Sequence, residues 1–304
     1  MNDVRCRTCG STSATRVGGL PDASSFAGRR LSAPLPGGSL WRCASCGFAF
    51  RFPLLSEETY SDLYGTGSLN VWDVEQRRTD FDLIRNCLNI YQMGYKNVLD
   101  VGCYTGQFLS SLPGEVARYG VEPCVDAGKI AASKEITIVA KTVDEFASTT
   151  GFYDIIVACD VIEHVANPLQ FLQQLSLRLA PSGYLLVTTG NYDSWLWKLT
   201  GARYWYCYFA EHISFIGPRW IECVRSKLGL KVCEVVRFNY LGRGFNLKQA
   251  IAALVFAWSR PLYRLIRLRG GRVAEIDLPP GCGATKDHIL CVLQRVSTET
   301  PGDN

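Results

Sequence analysis

Short apolar runs alternate with amphipathic stretches through the middle of the chain. The runs cover residues 98–101, 117–121, 136–140, 153–159 and 184–189. Runs of this length with little polar alternation are typical of parallel strands that are buried on both faces. Residues 231–237 and 288–294 are predicted as two further strands. The pattern therefore predicts an α/β fold around a central, mostly parallel sheet.

Helical signals lie between and before these runs. Apolar residues recur at helical spacing within 73–91, which predicts an amphipathic helix that leads into the first strand. Asn167 and Pro168 form a helix start, with a side-chain cap followed by proline at the first position. A helix over 218–228 is expected to end at Gly229.

A glycine turn follows the first predicted strand. Gly102 and Gly106 bracket the turn, and residues 107–112 are predicted to start a helix. Glycines at such a turn let the backbone approach a nucleotide-like ligand closely, and the helix N-terminus faces that ligand. Tyr104 stands where a dinucleotide fingerprint has its middle glycine. Asp100 favours a ligand that carries cationic groups rather than a pyrophosphate.

Glu122 ends the second predicted strand, about twenty residues beyond the turn. In a doubly wound fold, an acid at this place reaches the ribose hydroxyls of an adenosine ligand. A solvated glutamate at a strand end is the alternative reading.

These features together resemble the class I S-adenosylmethionine-dependent methyltransferases. The resemblance covers about 96–240 and 286–295, and includes the glycine turn, the acidic turn after residue 159 and the Asn-Pro-capped helix. It implies a Rossmann-like, doubly wound, seven-stranded sheet with one antiparallel edge strand. It also implies a cofactor site for S-adenosylmethionine, made of Asp100, Gly102, Cys103, Tyr104, Gly106, Glu122, Val143 and Asp160.

Two Cys-x-x-Cys-Gly units lie near the N-terminus. Cys6 and Cys9 form the first pair, and Cys43 and Cys46 form the second. Two such pairs across a loop predict one structural zinc ion in a closed four-thiolate ribbon. A disulfide or a redox pair is the alternative. The remaining cysteines are scattered through apolar segments, which is typical of free thiols in a reducing compartment.

The ribbon followed by a methyltransferase core resembles the first two parts of deoxysugar C-methyltransferases. Those enzymes carry a large third domain that this sequence lacks, so O- or N-methylation is expected as readily as C-methylation. We expect a small-molecule or glycan acceptor. Two rivals stay open: a ribosomal-RNA methyltransferase whose ribbon binds phosphates, and a binding module without catalysis. The net charge of +4 and the missing Asn-Pro-Pro-aromatic motif after Cys159 disfavour a nucleic-acid partner.

Candidate catalytic residues come from two segments. His212 follows an aromatic stretch over 190–209, where the acceptor pocket is expected, and is the first candidate for a general base. Asp160, Glu163 and His164 resemble the Glu-x-x-Glu-His cluster of ubiquinone-pathway and small-RNA O-methyltransferases. That resemblance implies a divalent ion, such as magnesium, that orients the acceptor oxygens. Structural roles for these residues are the alternative.

Residues 250–269 combine apolar residues with arginines, and no acid occurs from 241 to 272. This pattern is typical of a helix on an anionic membrane surface, and also of a lid or a dimer contact. The N-terminus has no apolar signal region, so we expect a cytoplasmic protein, with peripheral contact to the inner face of the membrane as one option.

The expected organisation has five parts: a zinc ribbon over 1–54, lead-in helices over 55–95, the methyltransferase core over 96–240, the basic and apolar insertion over 241–284, and the last strand with a tail over 285–304.

Overall fold

The computed structural model describes residues 4–65, 78–91, 94–240, 246–269 and 285–296. Parts of the predicted lead-in segment, the insertion and the tail lie outside these described residues, at 66–77, 241–245, 270–284 and 297–304. Within the described part, no helix is long and apolar enough to cross a membrane.

The strands, in chain order, are β1 (Ala14–Gly19), β2 (Ala23–Phe26), β3 (Arg29–Leu35), β4 (Ser39–Cys43), β5 (Ala49–Phe52), β6 (Asn97–Val101), β7 (Ala117–Val121), β8 (Thr137–Ala140), β9 (Tyr153–Cys159), β10 (Leu179–Gly190), β11 (Ser214–Phe215), β12 (Leu230–Phe238) and β13 (His288–Arg295). The helices are α1 (Glu57–Gly65), α2 (Thr79–Ile90), α3 (Gln107–Ser110), α4 (Val125–Ala132), α5 (Val143–Ala147), α6 (Pro168–Ser176), α7 (Trp195–Thr200), α8 (Pro218–Leu228), α9 (Leu247–Trp258) and α10 (Arg260–Arg269).

The central sheet has seven strands in the order β12-β13-β10-β9-β6-β7-β8. The pairs from β10 to β8 are all parallel, and antiparallel pairing is confined to the β10–β13–β12 edge. The predicted α/β methyltransferase fold is thus confirmed. The strand that runs opposite to the others is β13, which lies one place in from that edge.

Local signals place the ends of several helices. The Asn167 side chain accepts a hydrogen bond from the backbone N–H of Gln170 at 3.2 Å, and Pro168 occupies the first turn of α6. Gly229 ends α8 in the left-handed region, with φ of +63°. The predicted cap and stop are therefore confirmed. The β10 strand begins at Leu179, earlier than predicted, because the turn expected at 180–183 is a break in register within the strand.

The N-terminal segment shares a sheet and a core with the rest of the chain. Its four-stranded antiparallel sheet has the order β1-β4-β5-β11, and β11 comes from beyond β10 in the sequence. Phe48 packs against Trp220 of α8, with 6.1 Å between ring centroids. The cysteine segment is therefore joined to the methyltransferase core through both hydrogen bonds and apolar contacts.

Candidate active site

The glycine turn lies at the carboxyl end of β6, where β6 neighbours both β7 and β9. Gly102 and Gly106 each have φ of +77°. A Cβ atom at Gly102 would lie 2.7 Å from a methyl carbon of Val161, and one at Gly106 would lie 2.1 Å from Ile136. Tyr104 adopts φ of +49° without being glycine. Both backbone conformation and close packing therefore require the two glycines.

Glu122 is tied to this turn. One carboxylate oxygen accepts the backbone N–H of Tyr104 at 2.8 Å, and the other accepts that of Cys124 at 2.8 Å. Burial raises the pKa of Glu122, and the two hydrogen bonds oppose that shift. Each carboxylate oxygen has a second lone pair, so Glu122 can hold the turn and still accept from a ligand hydroxyl.

The other predicted cofactor residues lie close to the same edge. Asp100 is buried, and desolvation raises its pKa to about 8, although the guanidinium of Arg78 opposes the shift. Cys103 is buried beneath the turn. Val143 starts α5, which follows β8, and Thr142 caps that helix by accepting the Glu145 N–H at 3.2 Å.

Asp160 belongs to a charged cluster that the sequence did not predict. The Nη2 atom of Arg78 donates to Oδ2 of Asp80 at 2.5 Å and to Oδ2 of Asp160 at 2.9 Å. The Tyr240 hydroxyl also donates to Oδ2 of Asp160. The other oxygen of Asp160, Oδ1, is buried and has no hydrogen-bond partner among the described residues. An acceptor of this kind at the cofactor edge is suited to a cationic ligand group.

Glu163, His164 and His212 form a second cluster at this edge. One ligand atom from each residue lies within 4.8 Å of the others. Asp160 is not a member, so the structure groups Glu163 and His164 with the predicted base rather than with the first residue of the Asp-x-x-Glu-His motif. The set offers two imidazole nitrogens and one carboxylate, which is a donor set suited to manganese, iron, cobalt or zinc better than to magnesium.

Hydrogen bonds orient each member of this cluster. Glu163 accepts from the Thr189 hydroxyl at 2.8 Å and from the Tyr206 hydroxyl. The Nδ1 atom of His164 lies 2.9 Å from the Tyr64 hydroxyl. The Nδ1 atom of His212 lies 3.0 Å from the backbone carbonyl oxygen of Tyr206. A carbonyl oxygen only accepts, so Nδ1 of His212 carries the proton and Nε2 carries the free lone pair.

Burial controls ionisation in the cluster. Desolvation raises the pKa of Glu163 to about 7, with the Asp160 charge as the second cause. Desolvation lowers the pKa of His164 to about 4 and holds that of His212 well below its usual value. Neutral imidazoles of low basicity are good metal ligands but weak proton acceptors. The electrostatics therefore disfavour unaided general-base action by His212, whereas cation binding is favoured by the grouping of the three ligand atoms.

Arg51 connects the N-terminal sheet to the segment that carries His212. Its buried guanidinium donates to the backbone carbonyl oxygens of Gly37, Cys207, Phe209 and His212, at 2.6 to 3.3 Å. The Arg51 backbone N–H donates to the Ile213 carbonyl at 3.0 Å. The position of His212 thus depends on the N-terminal segment, which sequence spacing does not reveal.

The aromatic stretch over 190–209 packs largely on itself. Trp197 stacks on Tyr204 with 4.6 Å between ring centroids, and both rings are buried. Tyr206 reaches the Glu163 cluster through its hydroxyl. Most of these rings therefore build a core that supports the site. Tyr206 and Phe209 also contact a predicted catalytic residue, because their ring centroids lie 4.1 Å and 5.0 Å from that of His212.

The four predicted zinc ligands come together. The Sγ atoms of Cys6 and Cys46 are 3.6 Å apart, and so are those of Cys9 and Cys43. Zinc–sulfur bonds of about 2.3 Å in a tetrahedron imply sulfur–sulfur edges of about 3.8 Å. The Thr8 hydroxyl lies 3.3 Å from the Cys6 sulfur and 3.4 Å from the Cys46 sulfur. The donor set and its spacing fit a closed structural zinc site.

Comparison with known proteins agrees with this geometry. A family model described as a methyltransferase domain matches residues 75–235. A ubiquinone biosynthesis O-methyltransferase from Cronobacter sakazakii is 33% identical over 119 residues, which are 36% of this chain and 49% of that protein. The corresponding protein of Bradyrhizobium diazoefficiens is 34% identical over 131 residues, 40% of this chain and 51% of that protein. The chain thus spans about half the length of the curated relatives it matches.

Among solved structures, the magnesium protoporphyrin IX methyltransferase (ChlM) of Synechocystis PCC 6803, with bound SAH, is similar over 79% of this chain and 100% of that chain. The TM-score is 0.51 and the sequence identity is 12%. Similarity at this level of identity shows a shared fold.

Proposed function

This chain belongs to the methyltransferase domain family, and from that premise we propose that it transfers a methyl group from S-adenosylmethionine to a small-molecule or glycan acceptor. The observation that carries the proposal is the adjacency of two sites at the carboxyl edge of the sheet. The glycine turn follows β6, and the Glu163 cluster follows the neighbouring strand β9. Ligands of open α/β sheets bind at this edge.

The cofactor site divides by chemistry. The protein backbone at the Gly102–Gly106 turn contacts the cofactor. Glu122 accepts hydrogen bonds from the ribose hydroxyls. Asp160 presents a carboxylate to the cationic sulfonium and ammonium groups, and a bound cation would also favour the ionised form of Asp100, whose pKa burial raises to about 8. The partnerless Oδ1 of Asp160 supports this assignment, because a buried acceptor without a donor is costly unless a ligand supplies one.

The acceptor is oriented by Glu163, His164 and His212. A divalent cation held by these three residues would lower the pKa of an acceptor hydroxyl and polarise its oxygen. Tyr206 and Thr189 hold the Glu163 carboxylate, and the Tyr206 carbonyl holds the tautomer of His212 that leaves Nε2 free. Without a cation, the Nε2 atom of His212 is the nearest candidate to accept the hydroxyl proton, and the pKa that burial keeps well below its usual value makes it a weak base. The displacement itself needs in-line alignment, which contributes about 7–11 kcal/mol in well-oriented reactions.

The four cysteines bind zinc in a structural role, since a four-thiolate site leaves no position open for substrate. Residues 1–54 contain seven arginines, and two of them, Arg7 and Arg51, donate from their guanidiniums to backbone carbonyls of the core. This use of the ribbon argues against the rival in which its arginines bind RNA phosphates.

Incubation with methyl-labelled S-adenosylmethionine and a fractionated cell extract tests the proposal. We expect label in the small-metabolite or glycan fraction, and loss of that label in a Glu163→Ala variant that still binds cofactor. Label confined to RNA would support the ribosomal-RNA rival. Normal cofactor binding without transfer to any fraction would support a non-catalytic module.

A further inference from the structure

Two helices near the end of the chain expose an apolar face. Most large apolar side chains in this protein are buried, including Phe256 and Tyr263 on the inner sides of α9 and α10. On the outer sides, large apolar side chains are 46% to 62% exposed, among them Leu247, Ile251, Trp258, Leu262, Leu265 and Ile266. We call these six residues the outer helical surface.

The exposed residues follow helical spacing. Leu247, Ile251 and Trp258 recur on one side of α9, while Ala250, Ala253 and other small residues are buried on the opposite side. Leu262, Leu265 and Ile266 likewise recur on one exposed side of α10. Trp195 and Leu199 on α7, which contacts α9, are also more than half exposed. Exposed apolar side chains thus lie on three helices that contact one another in the order α7, α9 and α10, and a concentration of this kind marks an interaction site.

Cationic groups accompany this surface. Arg260, Arg264 and Arg267 recur along α10, and residues 246–269 contain no aspartate or glutamate. The Arg203 guanidinium carbon lies 4.6 Å from the ring centroid of the exposed Trp258, whereas Arg260 packs over the buried Phe256 ring on the inner side. Arginines beside exposed apolar residues and a tryptophan are typical of a helix that lies in a lipid headgroup layer.

We propose that the outer helical surface docks on a bilayer that contains anionic lipid. Charge decides between this occupant and a second copy of the chain. A symmetric dimer through the same surface would bring like-charged arginines together, because such an interface uses the same patch twice. An anionic headgroup layer instead offers the opposite charge to the basic residues of these helices and an apolar layer to the leucines.

Vesicle flotation of the full chain tests the proposal. We compare phosphatidylcholine vesicles with vesicles that also contain phosphatidylglycerol, at low and high salt. The wild-type protein should float with the anionic vesicles, less at high salt. Leu265→Glu should lower binding by at least tenfold, since burial of one leucine contributes roughly 1.5–3 kcal/mol, or about ten- to a hundredfold. Arg264→Gln should lower it about fivefold.

Leu177→Glu is the matched control, because Leu177 is 67% exposed at the end of α6. It should float like the wild type. If Leu265→Glu does not fold, Leu262→Ser takes its place, with the melting temperature measured for each variant. Two results would overturn the proposal: no flotation at low salt, or equal flotation of the Leu265→Glu and Leu177→Glu variants. Light scattering that shows a wild-type dimer and a Leu265→Glu monomer would also overturn it, in favour of a second copy.

Discussion

Replacement of Arg51 by methionine should both lower the free energy of unfolding and change the environment of His212. Arg51 is only 4% exposed and donates to four backbone carbonyls from separate segments. No carboxylate lies within ion-pair distance of it among the described residues. Its charge is therefore stabilised by carbonyl dipoles at hydrogen-bond distance, with a longer-range contribution from acidic groups that include Glu211.

Two effects of the substitution oppose each other. Removing the guanidinium leaves buried carbonyls without a donor, at roughly 1–3 kcal/mol each. It also relieves the desolvation cost of a buried cation, which amounts to several kcal/mol. Four carbonyl oxygens lose their donor, and at roughly 1–3 kcal/mol each their summed cost exceeds the desolvation relief by about 3–5 kcal/mol. We expect a loss in that range for Arg51→Met, and a smaller loss for Arg51→Lys, which retains the charge.

Urea unfolding at equilibrium measures the stability change. Arg219→Met is the matched control, because Arg219 also joins α8 to the N-terminal sheet, through an exposed hydrogen bond to the Ala44 carbonyl at 3.2 Å. Its loss should stay within about 0.5 kcal/mol. The Arg51 charge contributes to the lowered pKa of His212, so the His212 pKa should rise in Arg51→Met, as read from its imidazole NMR signals. Equal stability of the Arg51→Met and Arg219→Met variants would refute this reasoning.

Three further predictions concern the bound groups. Glu122→Ala should weaken S-adenosylmethionine binding by one to two orders of magnitude, since a charge-assisted hydrogen bond is lost at roughly 1.5–3 kcal/mol; unchanged affinity in calorimetry would contradict the assignment. Elemental analysis should find about one zinc per chain, and zinc removal should expose the N-terminal segment to protease; metal-free protein with a resistant N-terminus would exclude the zinc site. His212→Ala should lower turnover about 10²–10⁴-fold with cofactor affinity retained; if chelation also abolishes activity and manganese restores it, His212 acts as a ligand rather than as a free base.

The parts of the fold that were predictable have local signals. The glycine turn, the Asn-Pro cap and the two cysteine pairs are short motifs whose geometry depends on neighbouring residues. The seven-stranded, mostly parallel sheet followed from the family resemblance that these motifs support, whereas the order of its strands was not predicted. The two-residue strand β11 had no such signal, because its pairing with β5 is formed by a distant part of the chain.

The charged clusters were less predictable for the same reason. Arg78 and Asp160 are 82 residues apart in sequence, and Tyr240 is 80 residues beyond Asp160. The sequence predicted Asp160, Glu163 and His164 as one motif. In the structure the backbone bends at Asp160, where φ is +53°. The side chains of Glu163 and His164 then lie close to His212 rather than to Asp160. Side chains adjacent in sequence thus serve two clusters.

The ionisation of Glu163 provides a test of which group occupies that second cluster. Its pKa is raised to about 7, against an ordinary value of 4.5, because burial disfavours the carboxylate. The folded state therefore holds this proton more tightly than the unfolded state, and the stability that the proton contributes is lost as pH rises from about 4.5 to 7. The wild type should lose about 3 kcal/mol relative to Glu163→Gln across that window. A divalent cation at Glu163, His164 and His212 favours the carboxylate, so added manganese should remove the difference or reverse it. If the difference in unfolding free energy between the wild type and Glu163→Gln does not change with pH in metal-free protein, the carboxyl is not protonated in the folded state. If added manganese leaves that difference unchanged, no cation binds at this cluster.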